Sequence, residues 1–298
     1  ELHASQTPIR ISRDPNEKTG PAGYGDQNHV ATGQLLAYRV DFENMESADA
    51  PAQGVTVSDP LSEDLDWSTF GLTEIGFGDE LIVVPADKRQ YFETVVPYSI
   101  GDEEFEVHIE AGIHLATGEA FANFYSIDPD TGLPPPVDIG FLPPEDDTGR
   151  GQGHISYLIQ AKPGLPNGTE IRNVATIQFD FGLKIDTNQV DPLDSSQGTD
   201  PDKEALVTIT EMGRLQVQIE PEEAAGAMWR LEGTDSWYSP GAIVQLPVGE
   251  YTVAFRGQAS WEAATNQTVT INADQTTDII GTFTPKTTAS WNWLTLSH

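Results

Sequence analysis

Acidic side chains in short, turn-like runs are the chemistry this sequence offers most often. Asp14, Asn16 and Glu17 fall within one turn-rich segment, Asp128 and Asp130 form a D-x-D-x-G run with Gly132, and Asp186 stands near Asn188, Asp191 and Asp194. Asp59, Asp64 and Asp66 follow an alternating stretch. Calcium takes roughly six to eight oxygens, and Asp or Asn at alternate positions of a tight loop aims several of them inward. A structural calcium held by Asp14, Asn16, Glu17, Asp128, Asp130 or Asp186 is therefore an expectation. The D-x-D-x-G run lacks the distal Glu of an EF-hand, and Asp, Asn and Gly also make turns with no ion present.

Catalytic constellations are harder to find. The paired carboxylates of glycosidases stand roughly 5–10 Å apart, one with a raised pKa, and spacing singles out no such pair among the 47 acidic residues. The histidines, His3, His29, His108, His114, His154 and His298, have no G-x-S-x-G elbow to serve and no metal-ligand spacing. His108 and His114 read as half-buried strand residues. With no cysteine, disulfides, zinc–thiolate sites and thiol catalysis are excluded. The chain is expected not to be an enzyme.

Aromatic residues offer a binding chemistry instead. Trp229, Trp237, Tyr238, Tyr251 and Trp261 crowd one stretch. Exposed rings stack on sugars, but a small module also needs large residues to fill its centre. Trp229, in an alternating run, reads as core. Trp237 and Trp261, near turns, are the ligand-binding candidates, with glycans as the ligand class. Trp291 and Trp293 alternate and share one strand face, which suits edge pairing with another subunit; the alternative is an end that packs on its own module or stays unstructured.

Period-2 alternation supplies the elements that must hold these residues. Leu35-Leu36-Ala37-Tyr38-Arg39-Val40-Asp41-Phe42 and Arg214-Leu215-Gln216-Val217-Gln218-Ile219 are half-buried strands by pattern. Similar runs predict strands at 9–11, 34–43, 54–58, 68–76, 81–84, 90–97, 104–113, 119–126, 154–161, 170–179 and 205–211. Residues 14–26 and 186–204 read as loops, and the Pro- and Asp-rich stretch 128–152 as a surface excursion. From Met212 the composition changes, and short strands recur at 214–220, 226–232, 241–246, 250–256, 266–272 and 277–284. The predicted fold is all-β: immunoglobulin-like β-sandwich modules in series, one large with insertions (1–211) and one small (212–285), then a tail (286–298).

The length of 298 residues suits about two domains. A formal charge of −32 repels nucleic acid and anionic membrane surfaces, and no apolar run approaches the length of a membrane-spanning helix. The chain begins at Glu1 rather than Met and is expected to be a processed or excised piece.

Two blocks carry a family resemblance. The first holds Ser12-Arg13-Asp14-Pro15-Asn16-Glu17-Lys18, Ala50-Pro51-Ala52-Gln53-Gly54-Val55-Thr56-Val57-Ser58-Asp59, Gly140-Phe141-Leu142-Pro143-Pro144 and Asn173-Val174-Ala175-Thr176-Ile177-Gln178-Phe179-Asp180. Over about 12–192 it resembles an uncharacterised conserved repeat, immunoglobulin-like, of large secreted bacterial surface proteins. The second, with Gly213-Arg214-Leu215-Gln216-Val217 and Leu246-Pro247-Val248-Gly249-Glu250-Tyr251, resembles a small β module found near the C-termini of secreted bacterial proteins. The resemblance implies a non-catalytic extracellular structural or adhesive protein: a stalk, surface or filament component. Its partners would be other copies of itself or other surface proteins. The alternative is an accessory or carbohydrate-binding region of a larger secreted hydrolase. An intramolecular Lys–Asn amide stiffens some surface immunoglobulin-like domains, and Lys18, before the first strand, with Asn173, in a late strand, would form one if they met beside an acid.

Overall fold

The computed structural model describes residues 16–101, 103–224, 226–258 and 260–286. The expected strand at 9–11, Asp14, Trp291 and Trp293 lie outside them. The described residues form two compact units: one comprises residues 16–23 with Thr32–Ile209, the other Tyr24–Ala31 with the described residues from Thr210.

The strands through the first unit are β1 (Asn16–Thr19), β2 (His29–Ala31), β3 (Leu35–Glu43), β4 (Gly54–Pro60), β5 (Leu65–Phe77), β6 (Glu80–Val83), β7 (Tyr91–Ile100), β8 (Glu103–His114), β9 (Glu119–Ile127), β10 (Gln152–Ala161), β11 (Thr169–Asn173), β12 (Thr176–Phe179), β13 (Lys184–Asp186) and β14 (Ala205–Thr210). Of these, β2 belongs to the second unit. Two antiparallel sheets dominate, a five-stranded one in the order β1-β3-β10-β5-β6 and a six-stranded one in the order β13-β12-β4-β9-β8-β7. Alternation decides the packing: Leu36, Tyr38, Val40 and Phe42 of β3 are buried while their neighbours are not. Between the sheets, Phe42 meets Phe124 with ring centroids 5.4 Å apart, and Phe77 meets Phe124 at 6.2 Å. Gly153 pairs with Phe42, and a Cβ there would come within 2.3 Å of the Phe42 ring, so the ring lies directly over the strand.

Three expectations need correction. The turn-rich residues 14–26 were expected to form a loop, but Asn16–Thr19 pair antiparallel with Arg39–Phe42, because a regular partner edge overrides local turn preference. The expected strand 170–179 is two strands: β11 pairs with β14, and β12 with β4. The excursion 128–152 is anchored, not merely superficial. Phe141 and Leu142 are fully buried, and Phe141 packs on Phe77 at 5.4 Å and Phe124 at 5.7 Å. Gln53 holds the proline run in place, its Nε2 donating to the carbonyls of Pro135, Pro136 and Ile139 at 2.7, 2.8 and 2.9 Å. Those carbonyls lie outside any named strand; Pro136 O also accepts from Ile139 N–H at 2.8 Å, and the Gln53 amide adds a side-chain donor to the group.

In the second unit, β15 (Met212–Glu220), β16 (Met228–Leu231), β17 (Ile243–Pro247), β18 (Gly249–Arg256), β19 (Trp261–Glu262), β20 (Gln267–Ile271), β21 (Thr276–Thr282) and β22 (Thr284–Pro285) follow. They form sheets in the orders β17-β15-β21, β16-β18-β20 and β19-β22, with β15 and β21 parallel. Trp229, Leu215, Val217, Val253 and Phe283 fill the centre.

Truncating an anchor of the excursion opens a cavity between stacked rings. Phe141→Ala is expected to lower stability by about 3–5 kcal/mol, whereas Leu183→Ala, at an exposed position, should stay within about 0.5 kcal/mol. Urea unfolding of both variants checks this.

Candidate functional site

Strand alternation also carries polar side chains into the first unit's interior. Asp59 continues the inward face of Val55 and Val57 on β4, Tyr157 lies between Ile155 and Ile159 on β10, and Asn173 follows Ile171 on β11. Lys18 occupies the inward side of β1, and Tyr38 lies between Leu36 and Val40 on β3. Lys18, Asp59 and Asn173 are 3%, 0% and 2% exposed. Charges so deep are costly unless paired and hydrogen-bonded.

The pairing is tight. Lys18 Nζ lies 2.5 Å from each Asp59 carboxylate oxygen, and the Tyr157 hydroxyl donates to Asp59 Oδ2 at 2.7 Å. The ammonium also sits over the Tyr38 and Tyr157 rings, 5.2 and 5.6 Å from their centroids, and the two rings stack at 5.5 Å. Asn173 completes the cluster. Its amide lies against the Tyr157 hydroxyl, yet neither Oδ1 nor Nδ2 completes a hydrogen bond. The backbone agrees with this placement: Asn173 pairs with Ala205, and a Cβ on Gly20, two residues past Lys18, would stand 3.3 Å from Ala205 Cβ and 3.4 Å from the Tyr38 ring.

Burial pushes the Lys18 ammonium down from the ordinary lysine value to about 8, against the opposing charge and hydrogen bond of Asp59. Burial, reinforced by the Asp59 charge, pushes both Tyr157 and Tyr38 up. The set is therefore an amine that gives up its proton easily, a carboxylate in contact to receive it, and a desolvated amide. Those are the parts needed for an amine to displace ammonia from a side-chain amide.

The other candidates are scattered. Asn16 is buried in β1 and pairs in register with Phe42, and Glu17 is half-buried opposite Asp41. Asp128 caps its own turn, accepting from the Asp130 N–H and from Thr131 Oγ1 at 2.9 Å each. These bonds, the Asp130 one foremost, hold its carboxyl below the ordinary carboxylate range. Asp130 is exposed, and Asp186 accepts from Thr176 Oγ1 at 2.6 Å across β12 and β13. Among the described residues, no group of three or more His, Asp or Glu is placed to hold a metal ion. In the second unit Trp229 is fully buried, with Nε1 donating to the Ser239 carbonyl at 3.1 Å. Trp237 is half-buried between the guanidinium groups of Arg230 and Arg256, at 4.9 and 4.5 Å. Trp261 is half-buried against the module's core. Sequence reading named Lys18 and Asn173 but placed Asp59 in a surface loop and passed over Tyr157. The signal was there: each occupies an inward slot of an alternating run.

The family model that matches this chain is a domain of unknown function (DUF7619), over residues 14–78 and 138–192. Lys18, Asp59, Tyr157 and Asn173 all fall within the matched stretches. No curated protein sequence matches. Among solved structures, the major pilin subunit BcpA of Bacillus cereus is 13% identical, with 90% of this chain and 69% of that chain covered and a TM-score of 0.35. A 35 kDa C-terminal fragment of the major pilin GBS80 of Streptococcus agalactiae is 8% identical, covers 90% and 100%, and scores 0.33. A collagen-binding domain from a Staphylococcus aureus adhesin is 11% identical, covers 67% and 99%, and scores 0.30.

The lowered Lys18 value has a testable sign. Folded Lys18 holds its proton less tightly than the unfolded chain does, so stability attributable to it rises with pH between about 8 and the ordinary value of 10.5. The raised tyrosines oppose this only above their ordinary value of 10.0. An Asn173→Ala variant keeps the amine free. Its urea midpoint is expected to rise from about pH 8 to about pH 9.5, while the triple variant K18M/D59L/N173A, which lacks the ionisable pair, shows no such rise.

Proposed function

We propose that the first unit is a self-cross-linking structural module, in which Lys18 Nζ bonds to Asn173 Cγ and ammonia leaves. The observation that carries this reading is the convergence of an ammonium, a carboxylate and an orphaned amide in one dry cluster. Lys18 passes a proton to Asp59 and becomes a neutral nucleophile. The new C–N bond forms as the Cγ–Nδ2 bond breaks; the departing nitrogen takes up the first proton, and the second proton lost by Nζ as it becomes an amide N–H leaves by way of Asp59, so that the nitrogen departs as ammonium. Held in place by three strands, the groups react with effective molarities of roughly 10⁵–10⁸ M, as in other well-oriented intramolecular reactions. The event occurs once per chain, so the module is no enzyme in the turnover sense.

The wider reading is a non-catalytic structural or adhesive component at the outside of a bacterial cell: stalk, surface or filament. A chain with no cysteine cannot brace itself with disulfides, and an amide cross-link serves the same end. The charge of −32 favours a soluble, well-separated surface over contact with nucleic acid. Other copies of the chain or other surface proteins are its partners in this reading, with glycans at Trp237 as a lesser one.

Intact-mass measurement tests the cross-link. The folded wild type is expected to be one ammonia lighter than its sequence, and K18A, D59A and N173A each to carry their full sequence mass. A digest should yield one branched peptide joining Lys18 to Asn173. A full-mass wild type sinks the reading. Closing the loop from Lys18 to Asn173 contributes about 5 kcal/mol by chain entropy, so N173A should melt roughly 10–20 °C lower in a thermal scan.

A further inference from the structure

The cluster contains a group that the cross-linking reading above does not use. Asp59 and the Asn173 amide are both in contact with one atom, the Tyr157 hydroxyl oxygen. The leaving nitrogen must gain a proton before ammonia departs, and Lys18 delivers its own to Asp59, on the other side of that hydroxyl. We propose that Tyr157 is a catalytic residue of the Lys18–Asn173 closure, relaying the proton from Asp59 to the departing nitrogen of Asn173.

The step balances. Lys18 Nζ gives a proton to Asp59 and attacks Asn173 Cγ. As the Cγ–Nδ2 bond breaks, the Tyr157 O–H bond yields its proton to Nδ2, and Asp59 returns a proton to the phenol oxygen. Asp59, again a carboxylate, takes the second proton from Nζ as the amide N–H forms and passes it to the departing ammonia, which leaves as ammonium; Asp59 and Tyr157 end in their starting forms. No oxidant or co-reactant is needed. Burial and the Asp59 charge keep the phenol neutral, so it holds a proton to give across the ordinary pH range. Within the same stack, Tyr38 provides a built-in comparison. Its hydroxyl is buried and lacks a hydrogen-bond partner, and its ring also faces the Lys18 ammonium, so it shares the packing but not the relay.

This inference rests on the proposed cross-link, and the experiment separates the two. Full-length chain, recovered unfolded, is refolded by dilution and quenched at intervals, and intact mass follows the loss of ammonia. Y157F is expected to close about 10²-fold or more slowly than wild type, in the range of a lost general acid, and Y38F at the wild-type rate. Circular dichroism of the refolded variants confirms that each has its sheets. Equal slowing in Y157F and Y38F, or no slowing in Y157F, overturns the relay while leaving the cross-link standing. A wild type that never loses ammonia overturns both. Should Y157F fail to fold, the wild-type closure rate in mixtures of light and heavy water decides: a dependence on more than one moving proton supports the relay, and a single-proton dependence overturns it.

Discussion

The ion pair between Lys18 and Asp59 joins the two sheets of the first unit, one partner from β1 and the other from β4. As a source of stability it is a poor choice. Removing two charges from water costs several kcal/mol each, and well-packed apolar side chains in the same space often do as well or better. Beside it, Asn173 has buried both polar atoms of its amide without a hydrogen bond, at a further cost of about 1–3 kcal/mol. Two unfavourable features at one point of the interior invite a common explanation, and the proposed reaction, which consumes both, supplies it. Such conflicts between local rules and the global fold concentrate at functional sites.

The sandwich suits the proposed reaction because it fixes the participants from four directions. Lys18 comes from an edge strand, Tyr157 from the middle of the same sheet, Asp59 from the facing sheet, and Asn173 from the short ladder of β11 with β14. None of the four is on a loop. Phe70, 5.0 Å from Tyr157, and the stacked Tyr38 wall the cluster with rings, and burial lowers the Lys18 ammonium from the ordinary lysine value to about 8. Desolvation thus acts twice, making the pair costly and making the amine nucleophilic.

Most of the strands could be read from the sequence because period-2 alternation is a local signal, as β3 and β15 show. What could not be read was non-local. Asn16–Thr19 look like a loop by composition and become a strand only because β3 offers an edge. Val174 and Ala175 interrupt one apparent strand because the chain changes partners there, and nothing local marks the change. The proline-rich excursion hides two core residues, Phe141 and Leu142, in a stretch whose proline density says surface. At the site, Lys18 and Asn173 were within reach of sequence reasoning, but Asp59 was grouped with its acidic neighbours Asp64 and Asp66. It belongs instead with Val55 and Val57, four and two residues before it on one strand face. An acid at an inward slot is a stronger signal than an acid in a cluster, because only the first must be explained by burial.

The chain positions of Lys18 and Asn173 also bear on what the proposed cross-link would do. Lys18 lies in β1, the first strand among the described residues, and Asn173 pairs with Ala205 of β14, the strand by which the chain leaves the unit. Such a bond would place all of β3 to β10 inside a closed covalent loop. Tension applied along the chain then passes from β1 through the bond to β11, and the enclosed strands need not shear apart to bear it. A cross-link meant only to raise melting temperature could sit between any two strands distant in sequence. One that joins the strand of entrance to the partner of the strand of exit is the arrangement expected of a module that carries load.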